Sequence, residues 1–181
     1  MDRVKLSKTM SYILRHHPGK FGLNINPDGT VNLENFIKKL GKRFGSLNKE
    51  DVMDVVKSDS KKRFSIINEK YIRANYGHSL DGVHPDYSEV EPPLSLYHGT
   101  ARRNLSSIKN KGLISKNRNF VHLSKTRDEA EKVGKRHDNS PIILEIKSKK
   151  AYKKGIKFYD AGTVYLAKKI APRYINFNNI K

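Results

Sequence analysis

The chain has 181 residues, 36% hydrophobic and 30% charged, and no cysteine. Disulfides and thiolate metal centres are therefore excluded, and no apolar run approaches the length of a membrane span or follows the basic N-terminus as a signal peptide would. The net charge of +19 is uneven, with 16 Lys+Arg against 12 Asp+Glu over residues 1–95 and 21 against 6 over residues 96–181.

Such a field attracts a polyanion, and nucleic acid is the expected partner. The length fits one large domain or two small lobes sharing a cleft. A soluble, cytoplasmic, monomeric protein with no membrane contact is the expectation.

The first lobe is read as residues 1–79. Lys5 to His17 forms a helix, with Leu6, Met10, Ile13 and Leu14 on one face and Ser7 near its start, and Pro18 ends it. Asn26-Pro27-Asp28-Gly29 is a turn. A second helix follows from Asn32 with Leu33, Phe36, Ile37 and Leu40 inward. A third starts at Asn48 as N-cap, with Asp51 at the third helical position and Val52, Val55 and Val56 behind it. Arg63 to Ile67 and Tyr71 to Ala74 form a hairpin around Asn68-Glu69. Three helices and a terminal hairpin describe a winged-helix arrangement. Residues 80–94, LDGVHPDYSEVEPPL, are an acidic, proline-rich linker in which His84 is a surface residue.

The second lobe, residues 95–181, alternates strand and helix. Leu96-Tyr97-His98 and Phe120-Val121-His122-Leu123 are short strands, each with a histidine near a hydroxyl residue, Thr100 or Ser124. A helix over Asn104 to Asn110, stopped by Gly112, lies between them. That topology brings both pairs to one place beside Arg118, where a ligand is expected. Thr126 and Glu129 make a capping box for a helix reaching about Arg136. Pro141 to Ile146, Lys157 to Tyr159 and Thr163 to Leu166 are further strands.

Several fragments bear on chemistry. Arg15-His16-His17 ends the first helix; the helix dipole favours cations there, while arginine also grips phosphate and histidine moves protons. In isolation Lys61-Lys62-Arg63 reads as a solvated basic turn, and Arg136-His137 as a helix-end charge pair. Gly77-His78-Ser79 closes the first lobe and fits an ordinary turn. None of the seven histidines has metal-ligand spacing, so no metal site is expected. No glycine-rich phosphate loop is present.

The segments LSKTMSYILRHHP, DGTVNLENF, KKRF, IRANYGHS, LYHGT, GLISKNRNFVHLS, VGKRH and FYDAGTVYLAKKIAPRYI follow in this order. Together they resemble the RNA 2′-phosphotransferase family, NAD-dependent enzymes that remove the 2′-phosphate left at tRNA splice junctions. The resemblance runs from Leu6 to about Ile175. It implies an α+β chain with an N-terminal winged-helix RNA lobe and a C-terminal ADP-ribosyltransferase-like split β-sheet lobe. It places the family's catalytic Arg-His-Arg-Arg set on Arg15, His16, Arg63 and Arg136. The NAD pocket falls on His98, Gly99, Thr100, His122, Leu123 and Ser124, with Arg118 as a further contact.

The implied reaction begins with attack of an internal RNA 2′-phosphate on the nicotinamide-bearing ribose carbon of NAD. It then yields 2′-hydroxyl RNA, ADP-ribose 1″,2″-cyclic phosphate and nicotinamide, with no metal and with chemistry at the seam of the lobes. The chain departs from the family pattern at Tyr76, where glutamine is usual before GHS, and at GTVYL, one residue shorter than the usual NGVWL. The competing readings are ADP-ribosylation of terminal nucleic-acid phosphates and a non-catalytic winged-helix nucleic-acid binder.

Overall fold

A computed structural model describes residues 2–83 and 85–178. His84, read above as a surface residue, lies outside them. The chain packs as two units, Met1–Asp86 and Tyr87–Lys181. Both are mixtures of helix and antiparallel sheet.

In the first unit, helix α1 spans Arg3–His16 and begins two residues earlier than the apolar spacing predicts. The Asp2 side chain accepts a hydrogen bond from the Lys5 amide at 2.9 Å and supplies the cap the pattern lacks. Leu6, Met10, Ile13 and Leu14 are fully buried, as the spacing requires. Strand β1 (Thr30–Asn32) is only three residues long and was not foreseen. It follows the Asn26–Gly29 turn, in which Asp28 accepts from the amide and hydroxyl of Thr30. Helix α2 (Leu33–Phe44) is capped by Asn32, and α3 (Lys49–Ser58) by a reciprocal Asn48–Asp51 box.

Strands β2 (Phe64–Ile67) and β3 (Tyr71–Ala74) form the expected hairpin. Asn68 and Glu69 both take positive φ, the left-handed pair that a tight hairpin turn needs. Strand β1 joins on the far side to give the order β1-β3-β2. Phe36, Leu33, Leu40 and Ile72 close the core against α1.

The second unit opens with β4 (Leu96–Thr100), longer by two residues than expected. A 3-10 turn at Arg102–Asn104 leads into α4 (Leu105–Lys111), which Gly112 ends at a φ of 77°. Next come β5 (Leu113–Ile114), β6 (Val121–Ser124) and α5 (Arg127–Gly134), the last capped by Thr126 and Glu129 as expected. Helix α5 stops at Gly134, so Arg136 lies beyond it rather than in its last turn. Strand β7 (Ile142–Ile146) precedes α6 (Ser148–Tyr152), which the sequence pattern did not show. Strands β8 (Tyr159–Asp160), β9 (Val164–Ala167), β10 (Lys169–Ile170) and β11 (Ile175–Asn176) complete the unit. The predicted strand at Lys157–Tyr159 is thus shifted to Tyr159–Asp160. The two-residue strands β5, β10 and β11 are too short for a period-two signal.

Six strands form one antiparallel sheet in the order β11-β7-β4-β6-β9-β8, while β10 pairs with β5. Leu96, Leu123, Leu144, Ile146 and Phe158 are fully buried around it. Glu89 bridges to Tyr159 and the Val90 amide donates to the Phe158 carbonyl, so that part of the acidic stretch is tied to the sheet. Among the described residues no helix is long and apolar enough to cross a membrane.

Helix α5 lies directly on β4. A Cβ at Gly99 would stand 1.9 Å from the Ala130 carbonyl oxygen, so only glycine permits this approach. Gly41, inside α2, has open space around it. Gly99→Ala should therefore cost about 3 kcal/mol or more, or prevent folding, because backbone must move. Gly41→Ala should add roughly 0.5–1 kcal/mol by removing a helix-interior glycine. Thermal unfolding of the two variants checks both signs.

Candidate functional site

The first cluster forms at the end of α1. Arg15 and His16 occupy the last turn and are half-buried, and His17 follows as the C-cap. The segment Tyr76–Ser79 docks on this turn. The Ser79 amide donates to the Arg15 carbonyl at 3.0 Å and satisfies one of the acceptors a helix end exposes. Ser79 Oγ shares a hydrogen bond of 2.8 Å with His16 Nδ1, which fixes the ring. The Arg15 guanidinium lies over the Tyr76 ring, 5.0 Å from its centroid.

Tyr76 is buried and its hydroxyl donates to the Lys61 carbonyl at 2.8 Å, so the departure from glutamine creates a stacking platform tied to the basic turn. Gly77 has a φ of 90°, and a Cβ there would sit 3.3 Å from Arg15 Nε. A larger residue would therefore be strained and would push the guanidinium away.

His78 is the buried member, 3% exposed, with no hydrogen-bond partner at either ring nitrogen among the described residues. Burial pushes its pKa from 6.5 down to about 4, helped by the charges of Arg15, His16 and Arg73. The neutral ring packs on Gly29, where a Cβ would be 3.1 Å from Nε2.

Arg63 precedes β2. Its amide donates to Asp59 at 2.6 Å and its guanidinium pairs with the same buried carboxylate. The basic turn is therefore anchored rather than loose. Arg63 and Asp59 line a cavity of about 430 Å³ with Arg3, Ser7, Lys8 and Ser11 of α1 and Ser58 of α3.

The second cluster lies on the sheet of the other unit. Strands β4 and β6 are neighbours, with Tyr97 opposite Ser124, and the His98 ring reaches the backbone of His122. His98 Nδ1 donates to the His122 carbonyl at 3.0 Å, and His122 Nδ1 donates to the Phe120 carbonyl at 3.1 Å. A carbonyl can only accept, so each Nδ1 carries a proton. Burial pulls the His98 pKa down, the bond to His122 opposes this, and Arg118 and His137 lower it further.

Thr100 and Ser124 are buried, and Thr100 Oγ1 accepts from Asn104 at 3.1 Å. Leu123 is fully buried in the core, so its side chain packs and only its backbone faces β9. Gly99 serves the contact with α5. Arg118 and Arg136 are exposed, and the Arg136 amide donates to the Val133 carbonyl at 3.2 Å. In the shortened tail Gly162 turns at a φ of 83°, while Val164 and Tyr165 enter β9; Lys125 lies 5.3 Å from the Tyr165 ring centroid.

Sequence reasoning missed Ser79, Tyr76, Arg73 and Asp59 as members of the first cluster. GHS and KKRF mark the right segments, but the pairings are tertiary and leave no local signal.

One unit thus carries a half-buried arginine–histidine pair, and the other a sheet with histidine, threonine and serine on adjacent strands. A family model described as "RNA 2'-phosphotransferase, Tpt1 / KptA family" matches residues 1–168. The chain belongs to this family of transferases. It is 41% identical over 175 residues to "Probable RNA 2'-phosphotransferase 2" of Archaeoglobus fulgidus, covering 96% of this chain and 80% of that protein. It is 40% identical over 183 residues to "Probable RNA 2'-phosphotransferase" of Acetivibrio thermocellus, covering 98% of each. A relative of the same description from Flavobacterium johnsoniae is 39% identical over 176 residues, covering 96% of each.

The buried imidazole has a measurable consequence. The folded chain takes up the His78 proton near pH 4, whereas an unfolded histidine does so near 6.5. Stability present above pH 6.5 is therefore lost as pH falls toward 4. Wild type should lose about 3 kcal/mol more over that interval than His78→Gln. Urea midpoints of both proteins at the two ends of the interval measure the difference.

Proposed function

We propose that this protein transfers an internal RNA 2′-phosphate to NAD. The products are 2′-hydroxyl RNA, ADP-ribose 1″,2″-cyclic phosphate and nicotinamide. The reading assigns residues 1–79 to a winged-helix RNA lobe, 80–94 to a linker and 95–181 to an ADP-ribosyltransferase-like lobe. One observation carries it: in a chain of this family, Arg15 and His16 stand side by side, half-buried and braced by Tyr76 and Ser79.

The nucleophile is already an anion, so the first requirement is position rather than a strong base. Arg15, stacked on Tyr76, grips phosphate oxygens with parallel hydrogen bonds, and His16 contacts the phosphate or donates its proton. Arg63 and Arg136 add charge where it builds at phosphorus, the role oriented cations fill best. NAD, as co-substrate, supplies the ribose carbon that accepts the phosphate.

The sheet residues suit such a ligand. The rings of His98 and His122 offer Nε2 toward hydroxyl or amide groups, Thr100 and Ser124 add hydroxyls, and Arg118 meets negative charge. The backbone of Gly99 and Leu123 shapes the floor. The acting groups need no metal. The same residues also suit terminal phosphates, and product analysis with internal and terminal phosphates separates the two substrates.

Incubation with NAD and RNA bearing an internal 2′-phosphate should release nicotinamide and dephosphorylated RNA, undiminished by excess chelator. Recovery of unchanged RNA overturns the proposal. Arg136→Ala should slow the second step more than the first, so rapid quench should show RNA carrying ADP-ribose on its 2′-phosphate; no build-up removes that role. Ser79→Ala should lower kcat about fivefold, the worth of one neutral hydrogen bond of ~1 kcal/mol, with KM little changed. Ser79→Thr should restore it.

A further inference from the structure

The second unit carries a basic concavity that none of the residues above use. Lys150, Lys154, Arg173 and Tyr174 line a cavity of about 420 Å³. Lys150 lies in α6, and Lys154 follows one turn later. Arg173 sits in the 3-10 turn Pro172–Tyr174 that precedes β11, at the edge of the sheet opposite β8.

The support beneath these cations is firm. Ser148 and Ala151 are fully buried, and Ser148 Oγ donates to the Pro93 carbonyl at 2.6 Å. The Lys147 amide donates to the Tyr174 carbonyl at 2.8 Å and ties α6 to the turn carrying Arg173. The Arg173 guanidinium is 5.0 Å from the centroid of the buried Tyr174 ring.

The nearby carboxylates are used elsewhere. Glu91 pairs with Lys149 at 3.1 Å and Glu89 with Lys157 at 2.9 Å. Among the described residues, Lys150, Lys154 and Arg173 are exposed and make no ion pair. Three cations held on rigid elements in one hollow, without an acid in its lining, repel one another until an anion joins them. Their field belongs to the half of the chain with 21 basic and 6 acidic residues.

We propose that Lys150, Lys154 and Arg173 form an accessory site for the phosphodiester backbone of structured RNA. This rests on the reading of RNA as substrate. A backbone site positions without reading sequence, since the phosphates look alike at every step. Its energy is counterion release, so its signature is salt dependence.

The test compares wild type with Lys150→Gln/Lys154→Gln/Arg173→Gln. A control, Lys109→Gln/Lys111→Gln/Lys116→Gln, removes the same charge from another exposed stretch of the unit. Fluorescence anisotropy with a tRNA-sized RNA, without NAD and across a salt series, reads binding apart from turnover. The expected result is a log–log slope shallower by about 2 to 3, and affinity at physiological salt weaker by roughly tenfold or more, for the first variant alone. With an active protein, KM for the tRNA-sized RNA should rise while kcat stays unchanged.

An unchanged slope, or an equal change in the control, overturns the site. So does loss of binding to anionic phospholipid vesicles without loss of RNA binding, which marks a membrane surface instead. Lys150→Gln/Lys154→Gln keeps Arg173 on its ring and should still give a slope shallower by about 2, so disturbance at Tyr174 cannot mimic the result. RNA binding through the hollow without any turnover would reject the proposed activity and leave this site standing.

Discussion

The first unit depends on the docking of Tyr76–Ser79 against the end of α1. One short segment satisfies a helix carbonyl through the Ser79 amide, fixes the His16 ring and supplies the surface on which Arg15 lies flat. Each contact is modest, since a net hydrogen bond or a cation over a ring contributes about 1 kcal/mol. Their value lies in acting on two adjacent residues at once. A long guanidinium side chain otherwise samples many rotamers, and ordering it costs entropy each time it binds. Here the ordering is done by folding.

The second unit solves a different problem. Its sheet must stay closely covered while leaving polar groups on β4 and β6 available. Gly99 lets α5 sit on the backbone of β4, and the histidines satisfy their own Nδ1–H groups on carbonyls within the sheet. Burial lowers the His98 pKa and keeps that ring uncharged. The charge of the second cluster lies on exposed arginines, Arg118 and Arg136.

Elements with a strong local code were legible in the sequence. Asn48–Asp51 and Thr126–Glu129 announce their helices through paired side chains, and both boxes are present. The β2–β3 hairpin follows from two β-rich runs around Asn68-Glu69, and the meeting of His98 with the β6 strand follows from two short strands flanking a helix. What escaped notice lacks a local code. The strands at Leu113, Lys169 and Ile175 are two residues long and exist because a partner strand is there. Helix α6 is five residues, held by burial of Ser148 and Ala151 rather than by caps or periodicity. At the candidate site, the Arg-His and KKRF segments stood out as chemistry. Their supports, Ser79, Tyr76 and Asp59, are joined to them by folding alone. Tyr76 read as a departure from a pattern, and the fold gives it a task.

His78 has one more consequence. A phosphate monoester takes its second negative charge near pH 6, within the interval where an ordinary histidine changes charge as well. Because His78 stays neutral until about pH 4, it adds no titration of its own to the basic cluster across that interval. Between neutrality and mild acid the imidazole therefore stays an uncharged wall of the cluster, and any change of charge there over this range arises from other groups.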